Sequence, residues 1–436
     1  MWKRRRFSLP ILGCVCVAIA GGGTVFAAEP LLSPQIDAAM VKALLNRIES
    51  SQASERATAA KELQALGTGI LPFLPPPDRM ETAAGRDVVV QIRHVLERQL
   101  ATESARASVV SLNTTASPID LIANISRQTG NRIALADNEI DAPIAVDWKA
   151  RSFWEAVDDV LVKSKHRIEW NATAGQFLIE HRIAGAPLPV IAHAGPFRAE
   201  ATLGKLKTAQ NTGDQTVFRI HTVWQAEPRL RPLFLRVKAG DWHGVTANGT
   251  VTPWNPDAEY ELPIADGTRQ VSWPLDLLWP MDEKGEKWSL HGKAVVHLAA
   301  MTETIGFDAV ALRPNVQRRR GGVAVRIRAA EFRPGDDGRL SATIRILVAY
   351  DTGGPAFESH RTWVFYQGAN LLGPKDQRIA FTDYEATQEV DGAVGIEYRF
   401  HNLPGRGSDY RFQYEAPTLF LDVPLDVSFR DLPAPE

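Results

Sequence analysis

The sequence predicts a multi-domain, mainly β protein in which a helical segment and a small α+β block precede two antiparallel β-sandwiches. Apolar residues recur at helical spacing between positions 34 and 104, whereas from residue 187 onward they mostly alternate with polar ones. The block 105–186 shows both patterns in turn. Alternation that leaves one face polar is typical of antiparallel sheets. The 436 residues leave room for about three or four domains.

Residues 1–27 have the layout of a cleavable export signal. A positively charged start is followed by an uncharged apolar run, and Val25 and Ala27 are the small residues expected before a signal-peptidase cut. Cleavage after Ala27 would place the mature chain in the periplasm or at the cell surface. Two alternatives stay open. The apolar run is just long enough to remain as a membrane anchor, and Cys14 ends a lipobox-like stretch that would carry a lipid.

Cysteine content and charge exclude several classes of function. Cys14 and Cys16 both lie in the export segment, so the mature chain has no thiol for a disulfide, a nucleophile or a Cys-ligated metal. Four of the 49 basic residues and none of the 51 acidic residues lie in residues 1–27, so cleavage changes the net charge from −2 to −6. This charge argues against nucleic acid and anionic lipid as partners. We also predict no transmembrane domain after signal cleavage.

The segment 34–104 is predicted to form three helices, the second ending at Gly67 as its C′ residue. The stretch from Arg56 to Leu74, with Leu63, Gly67 and its Leu-Pro-Phe-Leu ending, resembles one HEAT-type helical repeat. The resemblance implies packing against a neighbour, because a single repeat cannot bury its apolar face alone. The residues expected to face the core are Ile36, Met40, Val41, Leu44, Leu45, Ile48, Leu63, Val88, Val89, Ile92, Val95, Leu96 and Leu100.

The pattern of residues 105–186 predicts strands and helices in the order β-α-β-β-α-β-β. Ser117 and Ser152 suit the N-caps of its two helices, and an acidic residue three positions later completes a capping box in each case. Gly130 is expected to end the first helix. The pattern therefore predicts a compact α+β unit.

Three segments of this block carry a family resemblance. The helix from Ile119 to Gly130, the strand Ile144–Trp148 and the helix from Ser152 to Leu161 together resemble the short N-terminal domain of secretins and TonB-dependent receptors. The resemblance implies a periplasmic docking module, and it brings no catalytic residues with it.

The β-rich remainder is divided into two predicted sandwiches, 187–312 and 313–436. The stretch from Arg313 to Gly322, which contains the run Arg318-Arg319-Arg320-Gly321-Gly322, is interpreted as the linker between them. Pro424 is expected to place the last strand at a sheet edge. The residues predicted to face the cores include Phe218, Ile220, Thr222, Trp224, Ala342, Ile344, Ile346, Val348, Ile396, Tyr398, Phe400, Tyr410, Phe412, Tyr414, Leu425, Val427 and Phe429.

No catalytic, cofactor-binding or metal-binding motif stands out, so we predict no cofactor and no metal. His291 and His297 share one face of a predicted strand, but six residues at ~3.3 Å each place them ~20 Å apart, too far for one metal ion. The Asp336-Asp337-Gly338 run is interpreted as a hairpin turn rather than a calcium loop.

Trp242, His243 and Trp254 are the candidate ligand-binding residues. Both tryptophans lie in short segments rich in Gly, Pro, Asn and Asp, among six tryptophans that crowd residues 187–312. Each ring has two alternative uses: it closes the core, or it stands exposed as a platform for a sugar or a partner protein. His243 would add a hydrogen bond to a bound hydroxyl.

The predicted function is that of an exported, non-enzymatic envelope protein that binds or scaffolds other periplasmic or cell-surface components. Its expected partner is an envelope protein or a polysaccharide. The alternative is a carbohydrate-active or other hydrolase with a site in the β-sandwich region. A cleft that joins two carboxylates with a loop tryptophan would favour the hydrolase.

Overall fold

The computed structural model describes residues 37–76, 79–135, 142–171, 174–183, 185, 188–207, 215–264, 268–280, 286–312, 315–320, 322–335, 338–350, 368–390 and 392–435. The protein is mainly β, with several antiparallel sheets and a few helices, as predicted. The export segment 1–27 and the pair Asp336-Asp337 lie outside the described residues. The chain divides into two compact units, 1–93 and 94–436.

Five α-helices, 22 strands and five short 3-10 helices make up the described regular structure. The helices are α1 (Ala38–Ile48), α2 (Ala53–Ala65), α3 (Ala83–Ser104), α4 (Pro118–Thr129) and α5 (Phe153–Ser164). The strands are β1 (Val109–Ala116), β2 (Ile133–Leu135), β3 (Ile144–Ser152), β4 (His166–Asn171), β5 (Gln176–His181), β6 (Val190–Ala194), β7 (Phe197–Lys207), β8 (Gln215–Ala226), β9 (Pro232–Lys238), β10 (His243–Val245), β11 (Thr250–Pro253), β12 (Glu259–Pro263), β13 (Gln270–Pro280), β14 (Lys287–Phe307), β15 (Gln317–Arg320), β16 (Val323–Pro334), β17 (Leu340–Tyr350), β18 (Ala369–Leu372), β19 (Arg378–Ala380), β20 (Asp383–Val390), β21 (Ala393–Leu403) and β22 (Arg411–Pro433). In the described part of the chain, no helix has the length and apolarity needed to cross a bilayer.

The first unit is helical. Val41, Leu44 and Ile48 form the buried stripe of α1 at the spacing of an amphipathic helix. Met40, expected on this stripe, is exposed because its neighbour Val41 already occupies the core-facing position. Gly67 follows α2 with φ of 77°, a left-handed value that suits glycine at the end of a helix. The HEAT-type resemblance stays a prediction.

The α+β block has the predicted order of elements. β1 pairs with β3, and β5 lies between β2 and β4, parallel to the first and antiparallel to the second. The two helices bury their apolar faces in one core, to which α5 contributes Phe153, Trp154 and Val157. Similarity to the secretin and TonB domain stays a prediction.

The caps of the two helices differ. Ser152 forms the full capping box: its hydroxyl accepts from the Glu155 N–H, and the Glu155 carboxylate accepts from the Ser152 N–H at 3.1 Å. At Ser117 only half of the predicted box forms, because the Asp120 carboxylate accepts from the Ser117 hydroxyl rather than from its N–H. Gly130 ends α4 in the left-handed conformation, as predicted.

Replacing Ser152 by alanine is expected to cost about 1 kcal/mol of stability near pH 7, the usual value of an N-cap. The hydrogen bond from the Ser152 hydroxyl is the main cause that lowers the pKa of Glu155, with burial opposing it. A lowered folded-state pKa gives stability that is present above the ordinary pKa and is lost as the pH falls through the folded value. Urea denaturation at several pH values between 7 and 3 should therefore show that the difference in unfolding free energy between wild type and Ser152→Ala becomes smaller below pH ~4. A deficit that stays constant with pH would contradict this assignment.

The second unit contains a 12-stranded sheet whose main path runs β19-β18-β22-β14-β10-β11-β13-β8-β7-β6. Its long strands β14 and β22 pair along nearly their whole length. The last strand, β6, packs beside β22, so the sheet curves around its core. The prediction that β22 is an edge strand is wrong, since it pairs with β14 and β18. Pro424 is accommodated because β18 pairs only with residues 411–414 of β22. At Pro424, β22 pairs with β14 on one side and has no ladder partner in β18 on the other, so the missing N–H of proline is tolerated.

A five-stranded sheet has the order β15-β16-β17-β21-β20. The linker interpretation of Arg318–Arg320 is wrong: these residues form β15, which pairs with β16. A turn with Gly322 at φ of 78° connects the two strands. The second apolar core lies between this sheet and one end of β14 and β22, so both long strands contribute to both cores. The boundary at residue 312 stays a prediction, although β14 and β22 pair across it.

A buried ion-pair network joins α5 to the strands β6 and β7. Arg198 on β7 is 2% exposed and donates to the Asp158 carboxylate of α5 at 2.9 Å and 3.0 Å. It also donates to Gln225 Oε1 at 2.7 Å and to the Glu200 carboxylate. His193 Nε2 lies 2.7 Å from Asp158. The α+β block is thus fixed to the large sheet by charged groups, and also by the Trp154 Nε1–H, which donates to the Pro196 carbonyl at 3.2 Å.

Candidate functional site

Trp242 closes the core of the curved sheet. A short 3-10 helix, Ala239–Asp241, carries the chain from β9 to the start of β10. The Trp242 ring is 1% exposed, lies 5.1 Å from the ring of Trp273, and donates its Nε1–H to the Lys293 carbonyl at 3.0 Å. Of the two alternatives for this residue, the exposed platform is therefore wrong.

Glycine at position 292 is required by this packing. A Cβ atom on Gly292 would lie 2.0 Å from the ring of Trp242, so the indole rests directly on the backbone of β14. Strand alternation then turns the neighbours His291 and Lys293 to the opposite, outer face. On β10 the same alternation turns His243 outward next to the inward Trp242.

Three polar side chains form a continuous row across neighbouring strands on this outer face. His243 of β10 lies directly opposite His291 of β14, which lies directly opposite Ser428 of β22. The two imidazole rings are 5.6 Å apart between centroids and tilted by 31°. Ser428 Oγ and His291 Nδ1 lie at hydrogen-bonding distance, 3.0 Å. We call His243, His291 and Ser428 the polar row.

Charged side chains flank the polar row. Lys293 and Asp426 lie opposite each other on β14 and β22, two residues along from His291 and Ser428. Asp241 precedes β10 on the same side. Together these residues line a shallow cleft of about 260 Å³. The cleft offers hydroxyl, imidazole, ammonium and carboxylate groups on three paired strands, which are rigid supports.

Trp254 lies elsewhere. It follows β11, its backbone N–H donates to the Asp276 carbonyl at 2.9 Å, and its side chain is 45% exposed. It is not among the described residues that line the cleft. Of the three candidate residues, only His243 therefore lines the cleft, Trp242 supports it from the core side, and Trp254 stands apart. Ligand binding by His243 and by Trp254 stays a prediction.

His297 belongs to a different cluster on β14. Its ring is stacked between Phe234 at 4.7 Å and Phe420 at 5.3 Å, and its Nδ1 lies 2.6 Å from Asp422. His291 and His297 both lie on β14, six residues apart. Within the described residues, no group of three or more His, Cys, Asp or Glu side chains could hold a metal ion.

The pair of Ser428 and His291 has a counterpart on the other sheet. Ser341 Oγ and His401 Nδ1 lie 3.2 Å apart between β17 and β21. In neither pair does a described carboxylate hydrogen-bond to the imidazole, so the orienting group of a catalytic triad is missing from the described contacts. A Ser–His pair is therefore a recurring cross-strand contact in this chain. What distinguishes the pair at His291 is its place in a cleft with His243, Lys293 and two carboxylates.

Comparison with known proteins gives no further identification: no protein family and no curated protein matches the chain.

Proposed function

We propose that this protein is exported and acts outside the cytoplasm as a non-enzymatic binding protein for envelope polysaccharide. The observation that carries the proposal is the polar row, which lies with two carboxylates and Lys293 in one cleft. Export is proposed on the sequence of residues 1–27. A docking role for the block 105–186 is proposed on its resemblance to periplasmic docking domains.

The chemistry of the cleft suits a polyhydroxylated ligand. Sugar hydroxyls both donate and accept, so they can bond simultaneously to carboxylates, imidazoles and an ammonium group. The cleft is smaller than the ~300 Å³ at which pockets for drug-sized ligands begin, so it would take one sugar residue of a longer chain. Its open, shallow shape lets the rest of the polymer extend along the sheet.

The geometry favours binding over hydrolysis. Glycoside hydrolysis needs two carboxylates facing one bond, with one of them acting as an acid. Asp241 and Asp426 line the cleft together, but Trp242, the predicted platform, is buried. Acyl transfer needs oxyanion donors beside the nucleophile, whereas Ser428 lies within a paired strand.

We expect His291→Ala to weaken binding to peptidoglycan sacculi or to purified capsular or lipopolysaccharide glycans at least ~10-fold. Loss of about one hydrogen bond to a charged or polar group corresponds to that factor. Co-sedimentation measures binding to the sacculi, and titration calorimetry measures affinity for the soluble glycans. His401→Ala is the matched control, because it breaks the equivalent Ser–His contact outside the cleft. Equal affinity of both variants and wild type, or no binding by the wild type, would refute the proposal.

The second candidate function is hydrolysis, favoured by the 3.0 Å contact between Ser428 and His291. A Ser–His pair acts on acyl groups, so release of acetate from O-acetylated glycans, abolished in Ser428→Ala but not in Ser341→Ala, would replace the binding proposal with this one.

A further inference from the structure

A second row of side chains, all charged, lies beside the polar row in the same cleft. Lys293 on β14 lies directly opposite Asp426 on β22. If the register in which His243 faces His291 is continued, Asp241 comes to the other side of Lys293, and all three charged residues line the cleft. The ammonium group therefore lies between two carboxylates. We call Asp241, Lys293 and Asp426 the charged row.

The charged row is not closed by ion pairs of its own. Two other polar pairs between β14 and β22 are closed: His297 Nδ1 lies 2.6 Å from Asp422, and His291 Nδ1 lies 3.0 Å from Ser428. Among the described residues, no member of the charged row takes part in an ion pair, although two of them lie directly opposite each other. Their hydrogen-bonding groups are therefore available to a ligand.

The sum of the charges in the cleft favours a cation. The charged row contains two carboxylates and one ammonium group, so one negative charge is left without an opposite charge. Lys238 also interacts electrostatically with Asp241, but its own ammonium group is bonded to Glu259 at 2.6 Å. With neutral imidazoles in the polar row, the cleft would therefore attract a positively charged group of a ligand.

We propose that the sugar bound in this cleft is an amino sugar whose amino group is free and charged rather than acylated. This inference rests on the proposed function and names the class of sugar that the same cleft takes. The sugar's ammonium group would donate to Asp426, and the ring hydroxyl next to it would accept from Lys293. Charged hydrogen bonds are roughly twice as strong as neutral ones, so the charge of the amine provides selectivity. Asp241 would accept from a further hydroxyl.

Other classes of sugar complete the charged row less well. An N-acylated amino sugar still offers an amide N–H, but it brings no positive charge to the carboxylates. A neutral sugar would bind Lys293 and Asp426 through hydroxyls alone. A uronic acid would bring its own carboxylate towards Asp241 and Asp426, and like charges repel.

The test compares two soluble glycans that differ only in acylation. Titration calorimetry with the whole mature protein near pH 7 measures the affinity for the hexamer of glucosamine and for the hexamer of N-acetylglucosamine. We expect the glucosamine hexamer to bind at least ~10-fold more tightly, the size of one additional hydrogen bond between charged groups, and its affinity to fall with added salt. Polygalacturonate, an acidic glycan, should bind more weakly than either hexamer.

Asp426→Asn tests the assignment of the amine to one side chain. Asparagine keeps an acceptor oxygen but has no charge, so this variant should bind the two hexamers with nearly equal affinity. Asp422→Asn is the matched control, because it makes the same change on the same strand outside the described lining of the cleft, and it should keep the wild-type preference. Thermal denaturation verifies that both variants are folded. A preference that persists in Asp426→Asn, or is lost equally in both variants, would contradict the assignment.

A third probe separates recognition of the amine from attraction of any positive charge. The N-trimethylated glucosamine hexamer keeps its charge but has no amine N–H to donate, so it should bind at least ~10-fold more weakly than the glucosamine hexamer. Equal binding of the trimethylated hexamer, or equally tight binding of a hexalysine peptide, would overturn the proposal.

The same measurements separate this inference from the proposed function. If the wild type binds sacculi or either hexamer and His291→Ala binds them more weakly, the proposed function stands. Equal affinity for the two hexamers, or tighter binding of the acylated hexamer or of polygalacturonate, would then refute the amino sugar alone. Absence of binding to every glycan by the wild type would refute both.

Discussion

Trp242→Ala is expected to lower the free energy of unfolding by about 3–5 kcal/mol, the usual cost of removing a large buried aromatic side chain. The ring fills the space between Trp273 and the backbone of Gly292, and its Nε1–H bonds to the Lys293 carbonyl. Truncation would leave a cavity and an unpaired carbonyl at the same place. Urea denaturation followed by far-UV circular dichroism measures the change.

Trp254→Ala is the matched control for this variant. Its side chain is largely exposed, so the same truncation should change stability by no more than about 0.5 kcal/mol. A similar loss in both variants would show that burial is not what distinguishes the two tryptophans. Gly292→Ala tests the same contact from the other side, because its new Cβ would clash with the indole, and overpacking of a core costs about 1–3 kcal/mol.

Trp242 also connects stability with the proposed binding. The strand that it supports carries His291 and Lys293 on its outer face, so the cleft depends on the core beneath it. Trp242→Ala should therefore weaken glycan binding through disordering of β14, whereas His291→Ala should weaken binding without a comparable loss of stability. The two effects can be separated by measuring both quantities in both variants.

Local signals in the sequence predicted much of the fold. The Ser152 capping box and Gly130 lie next to the helices that they start or end, and alternation in β8 and β17 identified the buried face of each strand. These features depend on residues close together in the chain. They need no knowledge of which strands are neighbours.

The candidate site depends on strand neighbours, and for that reason the sequence revealed only part of it. His243, His291 and Ser428 are far apart in the chain and meet only through the register of β10, β14 and β22. Spacing along the chain relates His291 only to His297 on the same strand, although its partners lie on β10 and β22. The arginine run of β15 has the composition of a linker, whereas its residues pair with β16, and only the register between these two strands reveals it as a strand.

Arg198→Met is expected to destabilise the protein by about 3–5 kcal/mol, the cost of breaking a buried ion pair by removing one partner. Arg198 is almost wholly buried. Burial alone would lower its pKa, but the carboxylates of Asp158 and Glu200 more than offset this and raise the pKa above its ordinary value. Without the guanidinium, the buried Asp158 carboxylate would keep His193, at 2.7 Å, as its hydrogen-bonding neighbour.

The exposed pair Arg219–Asp276 provides the control. Its two hydrogen bonds are both 2.7 Å, as good as those of Arg198, yet Arg219→Met should cost only about 0–1 kcal/mol because water already solvates both groups. The contrast isolates burial from hydrogen-bond geometry. Arg198 also bonds α5 to β7, so its loss should release the α+β block before the large sheet unfolds. Limited proteolysis should then cut within residues 142–183 first, and equal costs for the two arginine variants would show that Asp158 is solvated in solution.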